Sequence, residues 1–454
     1  MKKGIVCISN NLKYDNRVVR HIKSISQVMD EVHVSAQPVP DEKWYLNDWH
    51  NVSYKFFKWI PDAYPATVKI SEIAKRLKII DELKIITGIL DFDNYLEKDI
   101  CSLAIAKENE IQRKIIKKEK IKSYLSVWNK CESDENEYLR ILCFLDSAIQ
   151  WAETVSDIPA NLIYCNDIDS LLCGIVHKKK YGSKLVYDVH DLYYDILLNK
   201  ENPIFGKFLI IFEHYFINWV DELIGVSQSE LEYLKKLHKT DAPANFIPNC
   251  LPKFEENKEI LFKKEPHVPF RFYFHGIADE IRGVKKMIEA IRMVPEATLY
   301  LRCLPSPFIE EMKELADKEG VFKRIHFLEV VKQKDLSEAV NRDSDVGISL
   351  LDLSPNNSAY SKISLTNKFA EYLSGATPVM VIANTEQGNI VKEYGCGITI
   401  KKCTAKCIAK GMKYIIDHPE RYQKMSQNAI NVYEKIFSWE KYETKLQNMI
   451  DGLI

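Results

Sequence analysis

Short apolar runs alternate with helical stretches along most of this chain, and no other feature limits its fold as strongly. Residues 4–8 read as a buried strand, 16–29 as a helix with Val18, Val19, Ile22, Ile25 and Met29 facing inward, and 31–35 as a second strand. A strand, helix and strand in that order form a βαβ unit, which demands a parallel sheet with right-handed crossovers. The rhythm resumes with strands expected at 162–164, 184–188, 222–226 and 245–248 and helices at 168–180, 206–219 and 228–238. A second series places strands near 271–274, 298–302, 325–328, 346–350, 378–382 and 397–400, and three helices close the chain. The expected fold is α/β, with two Rossmann-like doubly wound domains and a ligand crevice at the carboxyl ends of the strands.

Two segments interrupt the alternation. Between 62 and 150 glycine and proline nearly vanish after Pro65, and long helical periodicity takes over; this block reads as a helical insertion. Its stretch 113–122 carries six basic residues and one glutamate, suited either to anionic lipid head groups or to a solvated helix face. Residues 250–269, rich in Pro, Lys and Glu without periodicity, read as a linker. The expected domains are therefore 1–249, 270–430, and a terminal helix within 431–454 that returns to the first domain.

At 454 residues the chain is long enough for two cores. Its 63 basic and 64 acidic side chains nearly cancel, so it lacks the basic surface that general nucleic-acid binding requires. No window of 18 apolar residues predicts a membrane span, and the apolar run of five at the start is too short for a signal-peptide core. The eleven cysteines include no CxxC pair, as expected in a reducing cytoplasm. Cys403, Cys407 and His418 fall short of the four tightly spaced ligands of a zinc site, so no metal is expected.

The most informative segment is Ser364-Leu365-Thr366-Asn367-Lys368-Phe369-Ala370-Glu371-Tyr372-Leu373-Ser374-Gly375-Ala376-Thr377-Pro378-Val379. It reads as a polar loop, a short helix, a glycine stop and a strand. Lys368 and Glu371 lie three apart and share one side of a turn. A carboxylate matches the two vicinal hydroxyls of a ribose, and a lysine beside a helix start matches a diphosphate. A plain surface ion pair between the two is the alternative.

This segment resembles the nucleotide-sugar site of glycosyltransferase family 4 and related GT-B enzymes of bacterial polysaccharide biosynthesis, which reads roughly Pro-Asn-Lys-x-x-Glu-Tyr-x-x-x-Gly-x-Pro-Val. Asn367, Lys368, Glu371, Tyr372, Gly375, Pro378 and Val379 match it, and Thr366 stands where proline is usual. The resemblance implies that Glu371 binds the ribose and that Ser364, Thr366 and Asn367 line the donor loop. A second glutamate is usual eight positions before the first; here that position is Ile363. Phe274-His275-Gly276-Ile277-Ala278-Asp279-Glu280-Ile281-Arg282-Gly283-Val284 resembles the family's diphosphate loop, with Gly276 at its glycine, Arg282 at the position of its lysine and Ile277 at that of its arginine. Residues 345–350 resemble the strand leading into the donor loop, and 325–329 the strand before the base-binding loop.

The N-terminal half carries matches of its own. The segment 161–167 and then Tyr187-Asp188-Val189-His190-Asp191 resemble paired family segments, and His190 follows a strand, where such sheets place ligands. His190 is read either as a contact for sugar hydroxyls or as a structural histidine satisfied by Asp188 or Asp191. Tyr14-Asp15-Asn16-Arg17-Val18 resembles a loop facing the cleft, with Asp15 equally readable as a helix N-cap. Val226-Ser227 with Ile247-Pro248-Asn249 matches the domain crossover, and Phe437-Ser438-Trp439-Glu440 the start of the last helix.

Taken together, the resemblance implies an enzyme that moves a sugar from a UDP- or GDP-sugar to a glycan or lipid-linked acceptor. It implies retention of configuration, no metal or other cofactor, and a cytoplasmic location with contact at the inner face of the membrane. His190, Arg282 and Lys368 are the residues expected to serve the chemistry. Two other readings stand beside it: a nucleotide-sugar epimerase of the same fold, and a catalytically silent module that binds glycan or a partner.

Overall fold

The computed structural model describes residues 1–10, 12, 15–37, 49–57, 70–90, 134–198, 203–252, 265–352 and 358–454. They divide into two compact units, residues 1–246 with 443–454 and residues 247–442.

The first unit holds seven parallel strands: β1 (Lys3–Cys7), β2 (Glu31–Ala36), β3 (Val52–Phe56), β4 (Leu162–Asn166), β5 (Lys184–Val189), β6 (Glu222–Gly225) and β7 (Ala244–Phe246). Their order is β3-β2-β1-β4-β5-β6-β7, so the chain reverses its direction of travel between β1 and β4, where a doubly wound sheet opens its crevice. Central strands read as apolar runs because helices cover both faces; Ile5, Val6, Cys7, Leu162, Ile163 and Tyr164 are fully buried. Strand β3 was not legible in the sequence. It lies at the sheet edge with no fully buried residue, so it lacks a hydrophobic run.

Within 62–150 the described residues form helices Ile70–Arg76, Ile80–Gly88 and Asp134–Val155. The third runs five residues beyond the expected end of the inserted block. Trp151, Ala152 and Val155 are buried, and the Trp151 indole donates to Ser35 Oγ on β2 at 2.7 Å. This helix therefore belongs to the layer covering the sheet. The basic stretch 113–122 lies outside the described residues.

The second unit has six parallel strands: β8 (Phe270–His275), β9 (Ala297–Arg302), β10 (Ile325–Leu328), β11 (Val346–Ser349), β12 (Val379–Ile382) and β13 (Gly397–Ile400). The order β10-β9-β8-β11-β12-β13 again reverses beside the first strand, here between β8 and β11. Helix Val284–Met293 buries Val284, Met287, Ile288 and Ile291, the spacing of one helical face, against Phe272, Phe274, Leu299 and Leu301. Each such side chain contributes about 1.5–3 kcal/mol when taken from water.

Both domain boundaries differ from the sequence reading. Residues 247–252 group with the second unit, where Leu251 pairs with Ser438 and the Tyr433 hydroxyl donates to Leu251 and Pro252 carbonyls. The second unit accordingly extends to Tyr442, and residues 443–454 group with the first.

Candidate functional site

In the second unit the site is assembled where β8 and β11 part. β8 ends at His275, and Gly276 turns the chain with φ of 99°, a left-handed conformation that costs a glycine least. Helix Val284–Met293 follows after a further turn at Gly283 (φ 72°). Between them the Arg282 backbone N–H donates to Asp279 Oδ1 at 2.9 Å, and the guanidinium pairs with the same carboxylate.

Across from this loop lies helix Asn367–Ser374. It is seated on β11 by Tyr372, whose ring lies so close over Gly347 that a Cβ there would stand 2.4 Å from ring carbon Cγ. The Tyr372 hydroxyl donates to Ile348 O and accepts from His275 N, both at 3.3 Å. Lys368, one turn earlier, reaches over Gly276: a Cβ on that glycine would lie 3.2 Å from Lys368 Cε and 3.5 Å from Nζ. Nζ stands 5.5 Å from the centre of the Phe274 ring and makes no hydrogen bond or ion pair among the described residues. Burial, reinforced by the nearby Arg282 charge and opposed by Glu371, lowers the Lys368 ammonium to a pKa of about 8.

Glu371 is buried, and its Oε2 lies 2.8 Å from His275 Nε2. The surface ion pair with Lys368 is thus not what this helix makes. Thr366 and Ser364 anchor the preceding loop. Thr366 Oγ1 lies 3.0 Å from Ser349 Oγ, Ser349 donates to Gln387 Oε1 at 2.7 Å, and Gln387 Nε2 donates to Ser364 O at 3.4 Å. No side chain caps the helix start, so its first N–H groups remain available to an anion. Asn367 is exposed there, Ile277 is 64% exposed, and residues 353–357, part of the loop that the sequence reading expected to contact the sugar, lie outside the described residues.

The structure therefore brings Gly276, Arg282, Lys368 and Glu371 together at the carboxyl ends of the central strands β8 and β11, with Thr366, Ser364 and Asn367 at the start of the same helix. Two contributors carried no legible signal. His275 sits inside a run that reads as an ordinary strand end, and Gln387 arrives from a helix twenty residues downstream of Asn367.

In the first unit His190 belongs to a buried charge network. Asp188, at the end of β5, accepts from Arg17 at 2.7 Å and from the Tyr164 hydroxyl at 2.9 Å, and lies 3.1 Å from both His190 Nε2 and His21 Nδ1. Asp167, in a left-handed conformation at φ 58°, accepts from the His190 backbone N–H at 2.8 Å. Burial alone would disfavour an imidazolium at position 190, but Asp167 and Asp188 outweigh it and raise the pKa to about 10. His21 goes the other way, to about 4, through burial and the Arg17 charge. His190 thus has structural partners, Asp188 and Asp167 rather than Asp191. Asp15 is an N-cap, its Oδ1 accepting from Val18 N at 3.1 Å.

Among the described residues no group of three His, Cys, Asp or Glu side chains is placed to hold a metal, the nine cysteines are free thiols, and no helix is long and apolar enough to cross a membrane.

No family model and no curated protein sequence matches this chain. Solved structures do. Sucrose-phosphate synthase from Thermosynechococcus elongatus superposes with a TM-score of 0.66 at 13% identity, covering 100% of this chain and 99% of that one. HepE from Anabaena, solved in complex with UDP, gives 0.63 at 13% identity with full coverage of both chains. WaaG, a glycosyltransferase involved in lipopolysaccharide biosynthesis, gives 0.56 at 11% identity, covering 99% and 100%. The fold is GT-B. Identity this low speaks for the fold alone, so what the GT-B scaffold does here is argued from its site.

Proposed function

We propose that this chain is a glycosyltransferase that takes a UDP- or GDP-sugar at the Gly276–Lys368–Glu371 edge of its second unit. The observation that carries this reading is the Lys368 ammonium: it is half-buried, unpaired among the described residues, and aimed over the open backbone of Gly276. A desolvated cation without a partner is costly unless an anion completes it. A diphosphate fits between the ammonium, the uncapped start of helix Asn367–Ser374 and the loop that ends at Gly283, with the Arg282 guanidinium beside it. Glu371, one turn further, is placed for the ribose hydroxyls. HepE, of the same fold, has been solved with UDP-glucose bound.

The acceptor is a hydroxyl of a glycan or lipid-linked saccharide, and transfer proceeds with retention and without a metal. As the bond between anomeric carbon and diphosphate oxygen breaks, charge builds on the departing oxygen. Lys368, the N–H groups of Arg282 not engaged by Asp279, and the helix start stabilise it. His190, held after β5 by Asp188 and Asp167, is in this reading the residue of the first unit that stands near a sugar hydroxyl.

Calorimetry with UDP and GDP tests the donor site. Glu371→Ala is expected to weaken nucleotide binding about tenfold or more, as loss of a charged acceptor does, with the thermal transition kept. Binding of neither nucleotide by the wild-type chain favours a silent module. Appearance of a new free nucleotide-sugar from donor alone, with no acceptor present, favours an epimerase.

A further inference from the structure

His275 is tied into the site at both its backbone and its side chain. Its N–H donates to the Tyr372 hydroxyl at 3.3 Å, and its Nε2 lies 2.8 Å from Glu371 Oε2. The Tyr372 ring stands edge-on to the imidazole at 4.8 Å between centroids, and Tyr273 stands against it at 5.5 Å. Nδ1 is buried with no hydrogen-bond partner among the described residues. The hydrogen between the ring and the carboxylate follows from these partners. A carboxylate oxygen only accepts, so a ring hydrogen sits on Nε2.

An N–H donor suits the task of this carboxylate. The imidazole N–H orients it by a single directed hydrogen bond to Oε2. Each carboxylate oxygen has two lone pairs, so the bond from His275 leaves Oε2 able to accept another hydrogen. The residue after His275 is Gly276, over which Lys368 reaches. One side chain at the end of β8 therefore sets where the carboxylate stands relative to the loop beside the ammonium.

We propose that His275 is a positioning residue: its Nε2–H holds the Glu371 carboxylate in the orientation that receives the two ribose hydroxyls of a nucleoside diphosphate, at a set distance from the Gly276 loop that takes the diphosphate. This role rests on the nucleotide reading above. Without the bond, more of the Glu371 orientation must be fixed at the moment of binding, and affinity falls accordingly.

The test is calorimetry of the full chain with UDP and with GDP, for wild type, His275→Leu and His275→Gln, with melting temperatures recorded for each. His275→Leu is expected to bind about tenfold or more weakly, the loss of one hydrogen bond to a charged group. His275→Gln, which retains a side-chain N–H donor, is expected to recover most of that loss. Imidazole ¹⁵N shifts of the wild type are expected to show the hydrogen on Nε2. Unchanged affinity in a folded His275→Leu chain overturns the proposal and leaves the nucleotide site standing. So does a folded His275→Gln chain that binds no better than His275→Leu, or a ring without a hydrogen on Nε2. If His275→Leu fails to fold, His275→Gln compared with wild type and the ¹⁵N shifts decide. Binding of neither nucleotide by wild type removes the site itself, and this role with it.

Discussion

Lys368 illustrates how one residue acquires its chemistry from its surroundings. In the sequence it is one of 63 basic side chains, three positions from a glutamate that could neutralise it. In the structure the glutamate turns to His275, and the lysine is left over a glycine that has no side chain to exclude it. Burial then lowers its pKa to about 8, so it is charged at neutral pH and loses its proton within reach of ordinary buffers. The expected outcome is nucleotide affinity that is constant below about pH 7 and falls as pH rises through about 8. Lys368→Met is expected to bind about tenfold or more weakly at pH 7 and to lack the fall near pH 8. Calorimetry between pH 6.5 and 9.5 checks both. A wild-type affinity that does not change across that range removes Lys368 from the diphosphate site.

At the level of elements, the polar network on β4, β5 and the first helix carries the strongest expectation. Asp188 is fully buried and holds Arg17, Tyr164 and the two histidines together at the carboxyl end of β5. Removing its charge takes a buried ionic partner from Arg17 and from His190, and breaking a buried pair in this way costs about 3–5 kcal/mol. Asp188→Asn is therefore expected to lower the urea midpoint of the first unit strongly at pH 7. The pH dependence has a definite sign. The folded state raises His190 to about 10, so its stabilising share is complete below the unfolded value of about 6.5 and is lost as pH rises toward 10. The decline in wild-type stability between pH 7 and 10 is expected to be shallower in Asp188→Asn. Equal slopes in the two proteins would show that His190 does not draw its charge from Asp188. Other elements show where sequence reading succeeds. β10, β13 and helix Gln228–His238 were found with their ends because an apolar run or a 3.6 period coincides with a stop signal, as at Ser227, whose Oγ accepts from Glu230 N.

For the whole molecule, the chain divides unevenly: 443–454 group with the N-terminal unit although they lie at the opposite end of the sequence. Leu446 and Ile450 are fully buried, Glu443 accepts from Ser24, and Lys2 donates to Asp451. Leu446→Ala is expected to cost about 2–5 kcal/mol, the loss of a buried leucine with its cavity. Hydrogen exchange is expected to accelerate in β1 and helix Asn16–Val28 and to stay unchanged in β8–β13. Acceleration confined to the second unit would contradict this assignment.

Local pattern alone was sufficient for the α/β class, two parallel-sheet series and the loop-helix-strand grammar of 364–381, because strand and helix periods are written in which side chains are apolar. Spacing singled out Lys368 and Glu371, with a surface ion pair as the alternative, and the resemblance weighed them toward a nucleotide site and added Arg282. Pattern was silent on β3, whose edge position leaves no buried run, and on the end of the inserted block, where Trp151 is committed to β2. It was silent too on the partners that define each site residue. That Glu371 meets His275, that Lys368 reaches over an open glycine and an aromatic face, and that Asp188 gathers four side chains depend on contacts across 96, 92 and 171 positions of chain. Such distances are closed only by the winding of the sheets, so the identity of the candidate site residues was local information and their charge, orientation and protonation were decided by the tertiary fold.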